Sequence, residues 1–156
     1  RASMVLARKT GYCVQKAVVL CALARAAGIP ARLVFVDIRN HLAPDRVIRM
    51  MGTDLFTYHS YAELHIGSRW VAAPPAFDRT TCEQHGYPLV TFDGRHDAIF
   101  PPSDEQGRPF VEYVHNHGTC PDVPLRSLLQ AWRDAYGEQR VETWKRAFVE
   151  GLVPGL

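Results

Sequence analysis

The sequence lacks the features that mark several large classes of protein. No apolar run approaches the roughly 20 residues that a membrane-spanning helix needs. The formal charge is only +2, with both signs interspersed, so no surface is dedicated to nucleic acid or to an anionic membrane. Repeats and low-complexity stretches are also missing. We therefore expect residues 1–156 to form a single globular domain of ordinary composition.

Cysteine is too scarce for a disulfide framework. A chain of 156 residues carries four cysteines, which are Cys13, Cys21, Cys82 and Cys120, and shows no secretion signal. Free thiols in a reducing compartment are therefore expected, which favours a cytoplasmic location. The opening letters "RASMVLARKTGY" are typical of the end of a helix, so we also expect the full protein to continue upstream of Arg1.

Apolar periodicity and turn residues divide the first half of the chain. A helix that is apolar on most sides is predicted from Cys13 to Ala27, where Gly28 and Pro30 end it. Alternating β-branched residues in "ARLVFVDIR" predict a strand, and a short helix is expected after Pro44. The segments "YHSYAELHI" and "RWVAA", separated by Gly-Ser, predict a hairpin.

The second half predicts fewer strands and more helix. "RTTCEQHG" indicates a short helix capped by Thr80 or Thr81, and "RPFVEYVHN" indicates a further strand. Two amphipathic helices are expected in "PLRSLLQAWRDAYG" and "VETWKRAFVEG". Helices that flank an antiparallel sheet place the chain in the α+β class.

Cys13 lies where a helix begins, directly after "TGY". The N-terminus of a helix lowers a thiol pKa through its dipole and its unpaired backbone N–H groups, so the position suits a nucleophile. The competing interpretation is a small core residue, because free cysteine is among the most buried residue types. Cys21, in the middle of the same helix, fits that second interpretation.

His59 is the candidate base for such a thiol. In the predicted hairpin Leu64 pairs with Val71, so His59, Tyr61, Glu63 and His65 share one face of their strand. A histidine held on a strand beside a hairpin is rigidly placed, as a general base must be. His65 lies nearer the turn and is expected to be an exposed or half-buried pair partner.

The segments "TGYCVQKAVVLCALARAAGIPARLVFVD" and "YHSYAELHIGSRWVAAPPAFD" resemble the transglutaminase-like superfamily, which has a papain-like cysteine-protease core. The later "FDGRHDAIFPPSDEQGRPFVEYVHNHGTCPDVPL" is similar to a bacterial subgroup of it. The resemblance implies that Cys13 is the nucleophile and His59 its base, in an enzyme that cleaves or transfers an amide through a thioester. Peptide or protein substrates are implied, with no cofactor, no nucleic acid and no membrane.

The chain departs from the superfamily at the third catalytic position. An aspartate usually follows this tryptophan by four residues, and here that position is Pro74. Asp78 has the same strand parity as Pro74, so we predict that Asp78 orients the His59 ring. An amide such as Asn40 is the alternative.

Two other functions are weighed against a thiol enzyme. Cys82 and His85, together with His115, His117 and Cys120, contain metal-binding residue types but lack the paired spacing of zinc knuckles. No oxygen-ligand loop for calcium is recognisable. The second alternative is a catalytically inactive transglutaminase-like module that binds a peptide or protein, which Pro74 favours. The residues do not distinguish hydrolysis from acyl transfer, and they do not indicate an oligomeric state.

Overall fold

A computed structural model describes residues 1–75 and 77–150, with side chains as far as 147. Six helices and four strands follow the α+β pattern that the sequence predicts. The helices are α1 (Ala2–Arg8), α2 (Cys13–Ala26), α3 (Asp45–Met51), α4 (Arg79–His85), α5 (Leu125–Tyr136) and α6 (Glu138–Glu150). The strands are β1 (Ala31–Asn40), β2 (Leu55–Ile66), β3 (Arg69–Ala73) and β4 (Val111–Cys120).

The four strands form one antiparallel sheet in the order β3-β2-β1-β4. The hairpin register is the predicted one, since Leu64 pairs with Val71. Gly67, the first turn residue, has φ 62°, a conformation that glycine adopts without the steric cost of a Cβ. β2 begins at Leu55, three residues earlier than the sequence pattern suggested, because its first residues pair with the end of β1.

One face of the sheet packs against α2 and α5. α2 is apolar almost all round and buries Val14, Ala17 and Cys21 against alternate residues of β1 and β2 such as Phe35 and Ala62. A helix of this composition is stable only when covered on most sides. Cys21 is therefore the core residue that the sequence predicts, with 3% of its surface exposed.

The opposite face of the sheet is covered by α4 and the connection that follows it. An aromatic cluster forms the centre of this layer, and its rings lie 4.9–5.7 Å apart between centroids. Its members are Phe77, Tyr87, Phe100 and Phe110, which pack against Val34, Val36 and Ile38 of β1. The central strands β1 and β2 are thus covered on both faces, whereas residues 112–116 of the outer strand β4 are exposed. No helix among the described residues is long and apolar enough to cross a membrane.

The N-cap of α4 differs from the predicted one. The sequence pattern favoured Thr80 or Thr81, but Asp78 Oδ1 accepts the backbone N–H of Thr81 at 2.8 Å and caps the helix. Aspartate is as good an N-cap as threonine or better, and Asp78 directly precedes the first helical residue. The same residue was the predicted partner of His59, so this difference bears on the site.

Candidate active site

Cys13 is the first residue of α2 and is partly buried. Tyr12 before it is extended, and the Gln15 side chain accepts the Tyr12 backbone N–H at 3.2 Å, which holds the entry to the helix. The Cys13 sulfur accepts backbone N–H groups from Ser60 and from Val14. The contact with Ser60 joins the start of α2 to β2, one residue beyond His59.

Gly11 is closely surrounded at the entry to α2. A Cβ at this position would lie 3.0 Å from Gln15 Oε1 and 3.1 Å from Val5 Cγ1. These distances are shorter than ordinary van der Waals contact, so a larger residue would displace Gln15 or α1. Gly11, two residues before Cys13, is therefore closely packed, and a Cβ there would require its neighbours to shift.

His59 lies on β2 opposite Val36, on the face of the sheet that carries the aromatic cluster. Its ring packs against Phe100 with 6.1 Å between ring centroids, and 6% of the residue is exposed. The ring nitrogen Nε2 is buried and has no hydrogen-bond partner among the described residues. A buried polar nitrogen without a partner is costly, which is why such atoms concentrate at functional sites.

Cys13 and His59 line the same cavity, which has a volume of about 170 Å³. Its lining residues come from the start of β2 and from α2, α3, α4, α5 and α6. Its walls are dominated by aromatic side chains: Tyr12, Phe56, Tyr58, Phe77, Tyr87, Trp132, Tyr136 and Trp144. Lys16 and Arg46 also line it, and no carboxylate does within the part of the chain that the structure describes.

The cavity keeps both reactive groups uncharged. Burial raises the pKa of the Cys13 thiol above its ordinary value, although the Ser60 and Val14 N–H groups and the Lys16 charge act in the opposite direction. Burial also lowers the pKa of His59 from 6.5 to about 4. At neutral pH the resting pair is therefore a thiol and a neutral imidazole, and no hydrogen bond joins them in the described structure.

The model of the transglutaminase-like superfamily matches residues 1–75, which include Cys13, His59 and β1 to β3. Residues 1–75 belong to the transglutaminase-like superfamily. No curated protein and no solved structure gives a match to the chain. The predicted resemblance to the superfamily is thus confirmed over residues 1–75, and the α+β fold is confirmed. The similarity of the later segment to a bacterial subgroup stays a prediction, and the superfamily match by itself shows no activity.

Two of the three predicted catalytic residues, Cys13 and His59, line the cavity, and the third, Asp78, does not. Asp78 is exposed and is used as the N-cap of α4. Hydrogen bonds from Thr81 lower the pKa of its carboxyl group. The structure contains no hydrogen bond between Asp78 and His59, so the orienting role predicted for Asp78 has no supporting contact.

Asn40, the alternative orienting residue, is engaged elsewhere in the cavity wall. Its Oδ1 accepts the Leu42 backbone N–H at 3.0 Å, and its side chain is hydrogen-bonded to the Tyr87 hydroxyl, which donates to Leu42 O. Asn40 thus fixes the turn after β1. Pro74, at the superfamily's aspartate position, has no side-chain acceptor to offer His59.

The cysteines and histidines considered as zinc ligands make other contacts in the structure. Cys82 is buried in the aromatic layer, and His117 Nε2 lies 2.7 Å from Asp37 Oδ1. No group of three or more metal-binding side chains is found among residues 1–75 and 77–147.

The sequence pattern missed the residues that shape the start of β2. Tyr58 has φ 55°, a left-handed conformation that is rare for a residue with a Cβ. Trp132 and Tyr136 of α5 are hydrogen-bonded to Thr57 beside it. These contacts join residues more than 70 positions apart, so no local sequence pattern predicts them.

Proposed function

We propose that this chain is a cysteine hydrolase or acyltransferase that acts on an amide bond through a thioester of Cys13. The observation that carries the proposal is that Cys13, at the N-terminus of α2, shares one largely apolar cavity with His59. A nucleophile and a base that line one cavity are the minimum requirement for such chemistry. Cys13 and His59 then act as a dyad.

The neutral resting pair determines the first step. As the Cys13 sulfur attacks the acyl carbon, His59 removes the thiol proton, so the carbon–sulfur bond forms while the S–H bond breaks. The backbone N–H groups of Val14 and Ser60 lie beside the sulfur and stabilise the negative charge that it gains as the proton leaves. That charge passes to the acyl oxygen when the carbon–sulfur bond forms, and it returns when the carbon–nitrogen bond breaks. Protonated His59 then gives its proton to the departing amine, and the Cys13 thioester remains.

The second step regenerates the thiol. With His59 as base, water attacks the thioester carbon, releases a carboxylic acid and returns the proton to sulfur. An amine in place of water yields a new amide by the same route. Hydrolysis is proposed as the main reaction because it requires no site for a second substrate. Neither route needs a metal or an organic cofactor.

The walls of the cavity indicate the acyl group that fits. They are apolar and aromatic, and the charged side chains among them are the cations Lys16 and Arg46. A large apolar side chain on the acyl side of the scissile bond would bury its surface there, whereas a basic side chain would meet like charge and find no carboxylate partner. We therefore propose peptides or proteins cleaved after large apolar residues as substrates.

A peptide library scanned on the acyl side tests this proposal. Wild type should turn over apolar members and reject basic ones, and Cys13→Ala should turn over none. The matched control is Cys21→Ala, which removes a thiol from the same helix outside the cavity. Equal turnover by wild type and Cys13→Ala would contradict the proposal.

One observation favours the second candidate, a transglutaminase-like module that binds peptides without cleaving them. His59 Nε2 has no orienting acceptor among the described residues, and a histidine without one is a weaker base. Alkylation by iodoacetamide at pH 7 separates the two candidates without a substrate. In an enzyme, His59→Gln slows labelling of Cys13 and leaves Cys120 unchanged; in a binding module, the variant and wild type label Cys13 equally.

A further inference from the structure

Strand β2 has a β-bulge immediately before His59. In the ladder between β1 and β2, Val36 pairs with His59 and Ile38 pairs with Phe56. Asp37 on β1 therefore faces two residues on β2, Thr57 and Tyr58. Tyr58 takes up the extra residue in the left-handed conformation, at φ 55°. Bulges of this kind re-aim the side chains that follow them.

Asp37 holds the bulge from β1. Its Oδ1 accepts the Tyr58 backbone N–H at 2.8 Å and lies 2.7 Å from His117 Nε2 on β4. The His117 ring in turn stacks on the Tyr58 ring, with 4.0 Å between centroids and 26° between planes. Asp37, His117 and Tyr58 thus contact one another in turn. Asp37 holds the backbone of Tyr58, and His117 packs on its ring.

α5 holds the same bulge from the helical side. The Thr57 backbone N–H donates to the Tyr136 hydroxyl at 2.6 Å, and the Trp132 indole N–H donates to the Thr57 carbonyl at 2.9 Å. At a bulge the neighbouring strand cannot pair with the Thr57 backbone N–H and carbonyl groups, so side chains of α5 form these hydrogen bonds instead. Contacts from β1, β4 and α5 thereby hold the conformation of Thr57 and Tyr58.

The left-handed conformation of Tyr58 affects the placement of His59, which follows it directly. Side chains alternate between the faces of a strand, so one residue more or less before His59 changes which side chains share its face. A left-handed residue with a Cβ persists only where its surroundings hold it. His59 is the next residue along the chain and is the last residue of the regular ladder with β1, where it pairs with Val36. The position of its backbone at this end of the ladder therefore depends on the conformation of Tyr58.

We propose that Asp37, with His117 behind it, is a positioning residue that keeps Tyr58 left-handed and thereby directs His59 toward the catalytic cavity. The inference rests on the proposed function for its catalytic consequence, and on the geometry alone for its effect on the His59 ring. Asp37 does not line the cavity and does not touch the reacting atoms.

The test compares Asp37→Ala, Asp37→Asn and Asp97→Ala. Asp97 is the matched control, because its Oδ1 accepts the Ala72 backbone N–H of β3 at 2.8 Å in the same sheet. Asp37→Ala should lower kcat by about 100-fold with little change in KM, since misplacing a catalytic group acts on the reaction step. Asp37→Asn keeps an oxygen for the Tyr58 N–H and should recover most of the rate. Asp97→Ala should lower thermal stability and leave kcat unchanged.

A second measurement follows the His59 ring itself and needs no substrate. By NMR, the pKa of His59 should rise from about 4 toward 6.5 in Asp37→Ala, because the ring leaves its buried position, and should stay in place in Asp97→Ala.

The outcomes separate the two proposals. If the His59 pKa does not move in Asp37→Ala, the positioning role is wrong, whatever the activity. If it moves as expected while Cys13→Ala retains full turnover, the proposed thiol chemistry is wrong and the positioning of His59 stands. Equal losses of stability in Asp37→Ala and Asp97→Ala, with kcat and the His59 pKa unchanged in both, reduce Asp37 to a structural residue.

Discussion

From the burial of His59 we predict that the free energy of unfolding falls on acidification. Burial lowers the pKa of His59 from 6.5 to about 4. Above pH 6.5 the ring is neutral in both the folded and the unfolded chain, so it has no effect on the pH dependence of stability. Below pH 6.5 the unfolded chain binds a proton that the folded chain binds only near pH 4. The free energy of unfolding therefore falls as the pH is lowered through this window.

The slope for one proton is about 1.4 kcal/mol per pH unit. Over the interval from 6.5 to about 4 the loss sums to about 3 kcal/mol, a substantial share of the stability of an ordinary domain. His59→Gln removes the titrating group, so the variant should lose about 3 kcal/mol less than wild type between pH 7 and pH 4.

Urea unfolding at both pH values measures this difference directly. Carboxylates titrate in the same window, but they are common to wild type and variant and cancel in the comparison. His65→Gln is the matched control, because His65 lies on the same strand, is half-buried beside Trp70 and does not line the cavity. If wild type and His59→Gln lose the same free energy on acidification, His59 is not held neutral by burial and the argument fails.

Three further predictions follow from the same geometry. Pro74→Asp places a carboxylate on the His59 face, so we expect a higher His59 pKa by NMR and faster alkylation of Cys13; an unchanged pKa would show that residue 74 does not reach the ring. Asp78→Ala removes the N-cap of α4, so calorimetry should show a lower melting temperature while Cys13 labelling and turnover stay near wild type, and a large loss of turnover would restore the orienting role. Gly11→Ala inserts a Cβ 3.0 Å from Gln15 Oε1 and should lower the free energy of unfolding in urea by about 1–3 kcal/mol. Gly28→Ala is the comparison for backbone strain alone, because its φ is 77° and the added Cβ meets no neighbour.

The elements themselves could be predicted because their signals are local. The apolar run that starts at Cys13, the glycine and proline that end α2, and the alternation in β1 and β2 each act over a few residues. The Leu64–Val71 register follows from a two-residue turn and a side-chain period of two. For the same reason, the placement of Cys13 at a helix start and of His59 on a neighbouring strand was available from the sequence.

The conformation of the site was decided by tertiary contacts. The bulge at Tyr58 depends on Asp37, His117, Trp132 and Tyr136, which come from three separate elements and meet only after the sheet and α5 have packed. Strand parity assigned Asp78 to His59 by extending β3 through Pro74, but the strand ends at Ala73 and the carboxylate caps α4. Sequence alone thus determined which groups are present and on which elements they lie. Because hydrogen bonds between distant residues set the backbone at β2, only the folded chain decided which of those groups face each other.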